Sequence, residues 1–290
     1  MGRTSEVTIQ RVGVVGAGQM GSGIAEVAAK SGADVVVYEP AEQFLEAGRK
    51  RITASLERAA AKGKLSEADK DATLARLTYT TNLADLADRQ LVIEAVIEDE
   101  AVKAKIFAEL DEIITDPDAV LASNTSSIPI MKIAAATKNP SRVLGLHFFN
   151  PVPVLPLVEL INTLVTSDAA VARVEKFAAE TLGKKVVRCS DRSGFIVNAL
   201  LVPYLLSAIR MVENGVASVE DIDTAVEAGL SHPMGPLRLS DLIGLDTMKL
   251  IADAMYDEYR DANYAPPPLL QRMVEAGQLG KKSGKGFYTY

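Results

Sequence analysis

The run Arg11-Val12-Gly13-Val14-Val15-Gly16-Ala17-Gly18-Gln19-Met20-Gly21, then a helical stretch, then Asp34-Val35-Val36-Val37-Tyr38-Glu39, decides the fold. It reads as strand, glycine turn, helix and strand. Gly16 permits the tight turn out of the first strand, Gly18 lets the backbone approach a pyrophosphate, and Gly21 lets the helix pack closely on the strand. Gln19 and Met20 complete the turn, and the helix N-terminus behind them faces the anion. Glu39 closes the second strand about twenty residues on, where a carboxylate can accept hydrogen bonds from the adenosine ribose. A lone G-x-G-x-x-G is weak, because glycine turns are common. The strand before it, the helix after it and the acid in place make it a dinucleotide-binding unit.

Outward from this unit, residues 41–62 have helical periodicity, with Phe44, Leu45, Gly48, Ile52 and Leu56 on one side. Arg51, Ser55, Arg58 and Lys62 fall three or four residues apart and share another face, which by itself reads as a solvated basic face. Ser66 with Asp69 resembles a capping box that starts a helix to about residue 77. Residues 90–96 form an apolar strand leading through Glu98 into a helix over 101–114. A strand over 120–122 ends in Ser123-Asn124-Thr125-Ser126-Ser127. Polar residues at the C-terminal edge of a parallel strand face the ligand crevice of such sheets, although the same cluster also suits a turn or helix cap.

The next strand, 143–147, ends in His147-Phe148-Phe149-Asn150-Pro151-Val152-Pro153. Its prolines forbid a helix, so residues 157–161 return as a strand carrying Glu159. A helix over 168–182 and a strand over 184–188 complete the alternation. Beyond them only helical periods remain, with a capped start at Ser218 and Asp221 and proline-glycine breaks over 232–236. The expected fold class is α/β: a Rossmann-type, largely parallel sheet domain over residues 1–189, followed by an all-helical C-terminal domain over 190–290.

The chain of 290 residues accommodates two such domains, and its 48% hydrophobic and 24% charged residues are those of a globular protein. A net charge of -7 argues against a nucleic-acid or anionic-membrane surface, so an anionic ligand must meet a local basic patch. One cysteine, Cys189, excludes an intrachain disulfide and fits a reducing compartment. The first ten residues lack an apolar signal core, and Gly2 fails as a myristoylation site because Glu6 stands where Ser or Thr is needed. Residues 194–212 are apolar for the length of a membrane span but contain Asn198, Pro203, Ser207 and Arg210, so a core or subunit-interface helix is expected. The expected location is cytoplasmic, and no metal site is expected.

Dinucleotide binding beside a sheet crevice suggests hydride transfer, and hydride transfer from an alcohol needs a base for the hydroxyl proton. Histidine suits both directions near neutral pH. Of the two present, His232 stands in a Pro/Gly-rich turn and reads as structural, while His147 ends a strand above the cofactor. Glu159 on the returning strand can hydrogen-bond its second nitrogen, fixing the tautomer and stabilising the imidazolium. Ser126 and Asn124 can hydrogen-bond the reacting oxygen.

Ser123-Asn124-Thr125-Ser126-Ser127, Leu146-His147-Phe148-Phe149-Asn150-Pro151-Val152-Pro153 with Leu157-Val158-Glu159, Gly194-Phe195-Ile196-Val197-Asn198, Pro233-Met234-Gly235-Pro236 and Gly284-Lys285-Gly286-Phe287-Tyr288 together form a specific set. In these motifs the chain resembles the short, single-function 3-hydroxyacyl-CoA dehydrogenases, which include the 3-hydroxybutyryl-CoA dehydrogenases. The match runs over residues 16–288. The resemblance implies that His147 is the base and Glu159 its partner, with Ser126 and Asn198 near the reacting oxygen of an acyl-CoA substrate. It makes Ser55 and Lys62, with Ser126, substrate contacts on the CoA ester. It makes Glu39, Glu98, Lys103, Ser126, Asn150 and Lys282 contacts of NAD, and it implies a homodimer through the helical domain. The family often has Asp where Glu39 stands; the longer acid still repels a 2'-phosphate and favours NAD over NADP. It commonly has proline where Ser193 stands. Two alternatives stay open from the residues alone: a dehydrogenase of a free hydroxy acid, and a non-catalytic NAD-binding redox sensor on the same fold.

Overall fold

A computed structural model describes residues 8–290, so the expectations about Gly2 and Glu6 lie outside the described residues. The chain divides into two compact units, Met1–Asp191 and Arg192–Tyr290.

The first unit is built on one eight-stranded sheet in the order β3-β2-β1-β4-β5-β6-β7-β8. Strand β1 (Arg11–Val15) pairs in parallel with β2 (Asp34–Tyr38) on one side and β4 (Leu91–Glu94) on the other. Strand β3 (Leu77–Thr80) lies outside β2. Strands β5 (Val120–Ser123) and β6 (Val143–Phe148) extend the parallel run beyond β4. Strand β7 (Leu157–Asn162) turns back antiparallel to β6, and β8 (Lys185–Ser190) follows β7 in parallel. The central strands are apolar on both faces because helices cover both faces of a parallel sheet: Val12, Val14, Leu91, Ile93, Leu121 and Leu144 are completely enclosed.

Strand order reverses at β1, so the crevice opens at the C-terminal ends of β1 and β4. Helix α1 (Gln19–Lys30) leaves the glycine turn there, and Gly32 in the left-handed region ends it at φ +99. Helix α2 (Glu42–Ala61) packs on α1 through Leu45, Gly48, Ile52 and Leu56. Helix α3 (Glu67–Ala75) starts as its capping box predicts, with the Asp69 amide donating to Ser66 Oγ at 3.0 Å. Helix α4 (Glu100–Ile113) connects β4 to β5, and short α5 (Ile130–Ala134) follows β5.

Two details differ from the sequence expectation. Strand β3 was not foreseen, and the helix expected over 168–182 is α6 (Asp168–Lys176) continued by a wider π-type turn over Phe177–Thr181.

The second unit is helical: α7 (Val197–Glu213), α8 (Val219–Leu230), α9 (Pro236–Ile243), α10 (Leu245–Tyr259) and α11 (Pro268–Glu275). They share a core of Leu205, Leu206, Ile209, Leu237, Met248, Met255 and Leu270. Helix α7 passes through Pro203 without stopping. Two enclosed aspartates clip the C-terminal segment onto this core. Asp241 accepts from the amides of Phe287 and Tyr288, and Asp223 from the Tyr288 hydroxyl.

Candidate active site

The glycine turn has the shape its sequence requires. Gly16 adopts φ +101, and a Cβ there would lie 2.6 Å from the Ala95 carbonyl oxygen. A Cβ on Gly21 would lie 1.9 Å from the Gly16 carbonyl oxygen, so helix and strand approach as only glycine allows. Around Gly18 the opposite holds: an added Cβ would meet nothing within 4 Å. Gly18 is also the N-cap of α1 and supplies no side-chain cap, so amides of the first helical turn face open space that suits an anion. Glu39 Oε2 accepts the Ala17 amide at 3.1 Å, which puts its carboxylate against the turn at the end of β2. The residues present therefore fit a dinucleotide with a free ribose.

One strand further along, a buried ionic network ties two strand ends together. Glu94, at the end of β4, is 0% exposed and Lys103 on α4 is 1% exposed. Lys103 Nζ lies 2.6 Å from Glu94 Oε1 and 3.3 Å from Glu98 Oε2. Glu94 Oε2 accepts Ser123 Oγ at 2.6 Å, and Oε1 also accepts the Val96 amide at 2.7 Å. Glu98 Oε1 gathers the Thr125 hydroxyl, the Ser126 amide at 3.0 Å and the Ser127 amide at 3.2 Å. Burial alone pushes the Glu98 carboxyl up, but the Lys103 ammonium and these hydrogen bonds outweigh it and hold the group below its ordinary value. The network fixes the loop carrying Ser126. The sequence reading named Glu98, Lys103 and Ser126 but missed Glu94 and Ser123. Its available signal was a carboxylate inside the otherwise apolar run Leu91-Val92-Ile93-Glu94.

His147 and Glu159 are directly opposite each other in the β6–β7 ladder. His147 Nδ1 is 2.7 Å from Glu159 Oε2, with the residues 6% and 1% exposed. The Phe149 ring stands 4.6 Å from the imidazole, centroid to centroid. Asn124 links β5 to the same place, its Oδ1 accepting the Phe148 amide at 2.8 Å. Gln19 Nε2 donates to Asn150 Oδ1 at 3.1 Å, joining the glycine turn to the loop after β6.

The face of α2 shared by Arg51, Ser55, Arg58 and Lys62 is not uniformly solvated. Arg51 Nη1 donates to the Ala17 carbonyl at 2.7 Å. Ser55 hydrogen-bonds enclosed Glu26 of α1, whose carboxyl is pushed up by burial against the opposing effects of Ser55, Lys30 and Arg58. Lys62 caps the end of α2 and is exposed. Asn198 and Lys282 belong to the helical unit, where Asn198 is half-buried on α7 and Lys282 pairs with Asp246 at 2.7 Å. Among the described residues no cluster of His, Cys, Asp and Glu could hold a metal ion.

A glycine turn at the strand-order reversal of a largely parallel sheet, with an enclosed histidine-carboxylate pair on two neighbouring inner strands, defines a dinucleotide-binding domain of the Rossmann type. Comparison with known proteins narrows the class. Residues 11–192 match the 3-hydroxyacyl-CoA dehydrogenase NAD-binding domain, and residues 194–290 match the C-terminal domain of the same enzymes. A 3-hydroxybutyryl-CoA dehydrogenase of Mycobacterium tuberculosis is 75% identical over 97% of this chain and 99% of its own. The crystal structure of M. tuberculosis FadB2 superposes with TM-score 0.97 at 75% identity, covering 98% of this chain and 100% of that one. The (S)-3-hydroxybutyryl-CoA dehydrogenase PaaH1 of Ralstonia eutropha gives TM-score 0.93 at 44% identity, covering 98% and 99%. The chain belongs to the 3-hydroxyacyl-CoA dehydrogenase family, and NAD is its cofactor.

Proposed function

We propose that the protein interconverts an (S)-3-hydroxyacyl-CoA of short acyl chain, 3-hydroxybutyryl-CoA in the first place, with the 3-ketoacyl-CoA. The observation that carries the catalytic part is the enclosed 2.7 Å bond between His147 Nδ1 and Glu159 Oε2. Glu159 holds the proton of the imidazole at Nδ1, so the basic lone pair is on Nε2. His147 takes the proton of the 3-hydroxyl at Nε2 as the C3–H bond breaks, and Glu159 stabilises the imidazolium formed. Bound NAD supplies the hydride acceptor for C3. Ser126, on the loop held by Glu98, and Asn198 donate to the reacting oxygen. In the reverse direction the imidazolium returns its proton to the alkoxide.

The substrate class is supported by the family and by the names of the relatives reported above. Ser55 and Lys62 contact the CoA portion on this reading, and Glu39, Glu98, Lys103, Asn150 and Lys282 bind or position the cofactor. A homodimer through the helical unit is part of the proposal, supported by exposed Leu200, Leu230, Leu242 and Leu250. So is a cytoplasmic location, supported by the single cysteine, Cys189.

The deciding experiment is NADH oxidation by acetoacetyl-CoA with the wild-type chain and His147→Gln. Positioned general-base catalysis is worth roughly 10²- to 10⁴-fold, and a loss on that scale is expected with NADH binding retained. Turnover near that of wild type would refute the role of His147. Equal activity on free acetoacetate would refute the CoA ester as substrate, and no oxidation with any 3-ketoacyl-CoA would leave a non-catalytic NAD-binding protein.

A further inference from the structure

Residues 149–156 join β6 to β7 beside His147 and contain Pro151, Pro153 and Pro156. Proline donates no backbone hydrogen bond, so carbonyls in such a loop need donors from elsewhere. Pro151 O accepts the amides of Val154 and Leu155, and Pro156 O accepts that of Lys185. The carbonyls of Val152 and Leu155 draw on one side chain, Lys184, whose Nζ donates to them at 2.6 and 2.7 Å. Lys184 stands just before β8 and is 9% exposed; burial holds its pKa below the ordinary lysine value. Enclosing an ammonium is costly, and a long cationic side chain with no task there would reach outward to water.

The other side of this loop rests on the cofactor turn. Gln19 Nε2 reaches Asn150 Oδ1 at 3.1 Å, and a Cβ added to Gly23 of α1 would lie 2.9 Å from Val152 Cβ. The loop is therefore held between α1 and Lys184.

We propose that Lys184 is a positioning residue for the cofactor, acting through the Val152 and Leu155 carbonyls to hold Asn150 and its loop against the start of α1. The proposal rests on Asn150 as a contact of NAD. In this role the lysine acts through the two carbonyls, and its ammonium replaces the amide donors that the prolines remove.

The test compares wild type, Lys184→Met, Lys184→Arg and Asn150→Ala as full-length chains. The readouts are the dissociation constant of NADH from fluorescence titration, the KM values for NADH and acetoacetyl-CoA, and the thermal midpoint. Lys184→Met keeps the stem and removes the donors. It should weaken NADH binding about tenfold, the scale of one lost charge-assisted hydrogen bond, while changing the KM for acetoacetyl-CoA less than about twofold. Lys184→Arg should restore most of the cofactor affinity. If Lys184→Met does not fold, Lys184→Gln, which keeps one amide donor, takes its place and should weaken NADH binding to a smaller degree. Normal NADH binding in the folded variant, with Asn150→Ala impaired, overturns the role of Lys184. Equal rises in both KM values, or no rescue by arginine, reduce Lys184 to general stability and also overturn it. Unchanged NADH binding in Asn150→Ala overturns the Asn150 contact, and the proposal with it.

Discussion

Replacing Lys103 by methionine should destabilise the sheet unit more than almost any other single change. The ammonium is the shared counter-charge of two carboxylates, 2.6 Å from Glu94 and 3.3 Å from Glu98. Glu94 is fully enclosed, so in Lys103→Met its charge remains buried with only hydroxyl and amide partners. Breaking a buried pair in this way costs about 3–5 kcal/mol. Unfolding entropy is about 2.1 cal/mol/K per residue, or about 0.4 kcal/mol/K for the unit Met1–Asp191, so the midpoint should fall by about 10 °C. Calorimetry at pH 7.5 reads this directly. Adding Glu94→Gln to Lys103→Met removes the stranded charge and should recover part of the loss. The pH dependence has a definite sign. Glu98 has a folded-state pKa depressed below its unfolded value, so its stabilisation is complete above the unfolded carboxylate range and is lost as pH falls through the folded value. The advantage of wild type over Lys103→Met should therefore shrink below about pH 4. A midpoint drop under about 3 °C at pH 7.5, or no recovery in the double variant, would refute the network as a source of stability.

Glu159→Gln turns a charge-assisted hydrogen bond into a neutral one, so kcat should fall about tenfold with the fold intact; a kcat within about twofold of wild type would remove Glu159 from the mechanism. Gly18→Ala and Gly21→Ala should fail differently. The first has room for its methyl and should fold but bind NADH poorly, whereas the second places a methyl 1.9 Å from the Gly16 carbonyl and should lose thermal stability as well. Equal midpoints for the two would contradict that division. Glu26→Gln should raise the midpoint at pH 8. The folded pKa of Glu26 is raised, so its penalty is absent below the unfolded carboxylate value and grows as pH rises through the folded one. The gain should vanish near pH 4, and a pH-independent gain would show that charge is not its cause.

The parts legible in the sequence were those with a local physical signature. Continuous valines on either side of a glycine turn announced β1, α1 and β2, and Ser66 and Ser218 marked helix starts at which their side chains accept the amides of Asp69 and Asp221. Strand β3 gave no such signal, because Leu77-Thr78-Tyr79-Thr80 is a short, largely half-exposed edge strand whose place is fixed by pairing with β2 and packing on the core. The wide turn after α6 preserves the apolar period closely enough to read as one helix. The pairing of His147 with Glu159 was legible because a histidine near the end of one strand and a carboxylate near the start of the returning strand fall opposite each other when the two run antiparallel. Lys103 and Lys184 were harder. A lysine in a helix or turn reads as solvated, and only the folded chain shows one ammonium between two carboxylates and the other on two carbonyls.

The antiparallel return of β7 has a consequence for how this active site can diversify. Glu159 meets His147 through ladder position, and the side-chain period of two makes that position behave like a reading frame. A one-residue slip of β7 against β6 would bring Val158 or Leu160 opposite the imidazole and break the pair. A residue inserted within 149–156 is instead taken up as slack ahead of the ladder. The His147–Glu159 contact, and with it the proposed proton transfer, is thereby insulated from the length and composition of the adjoining loop, and that loop can be rewritten while the pair stays in frame.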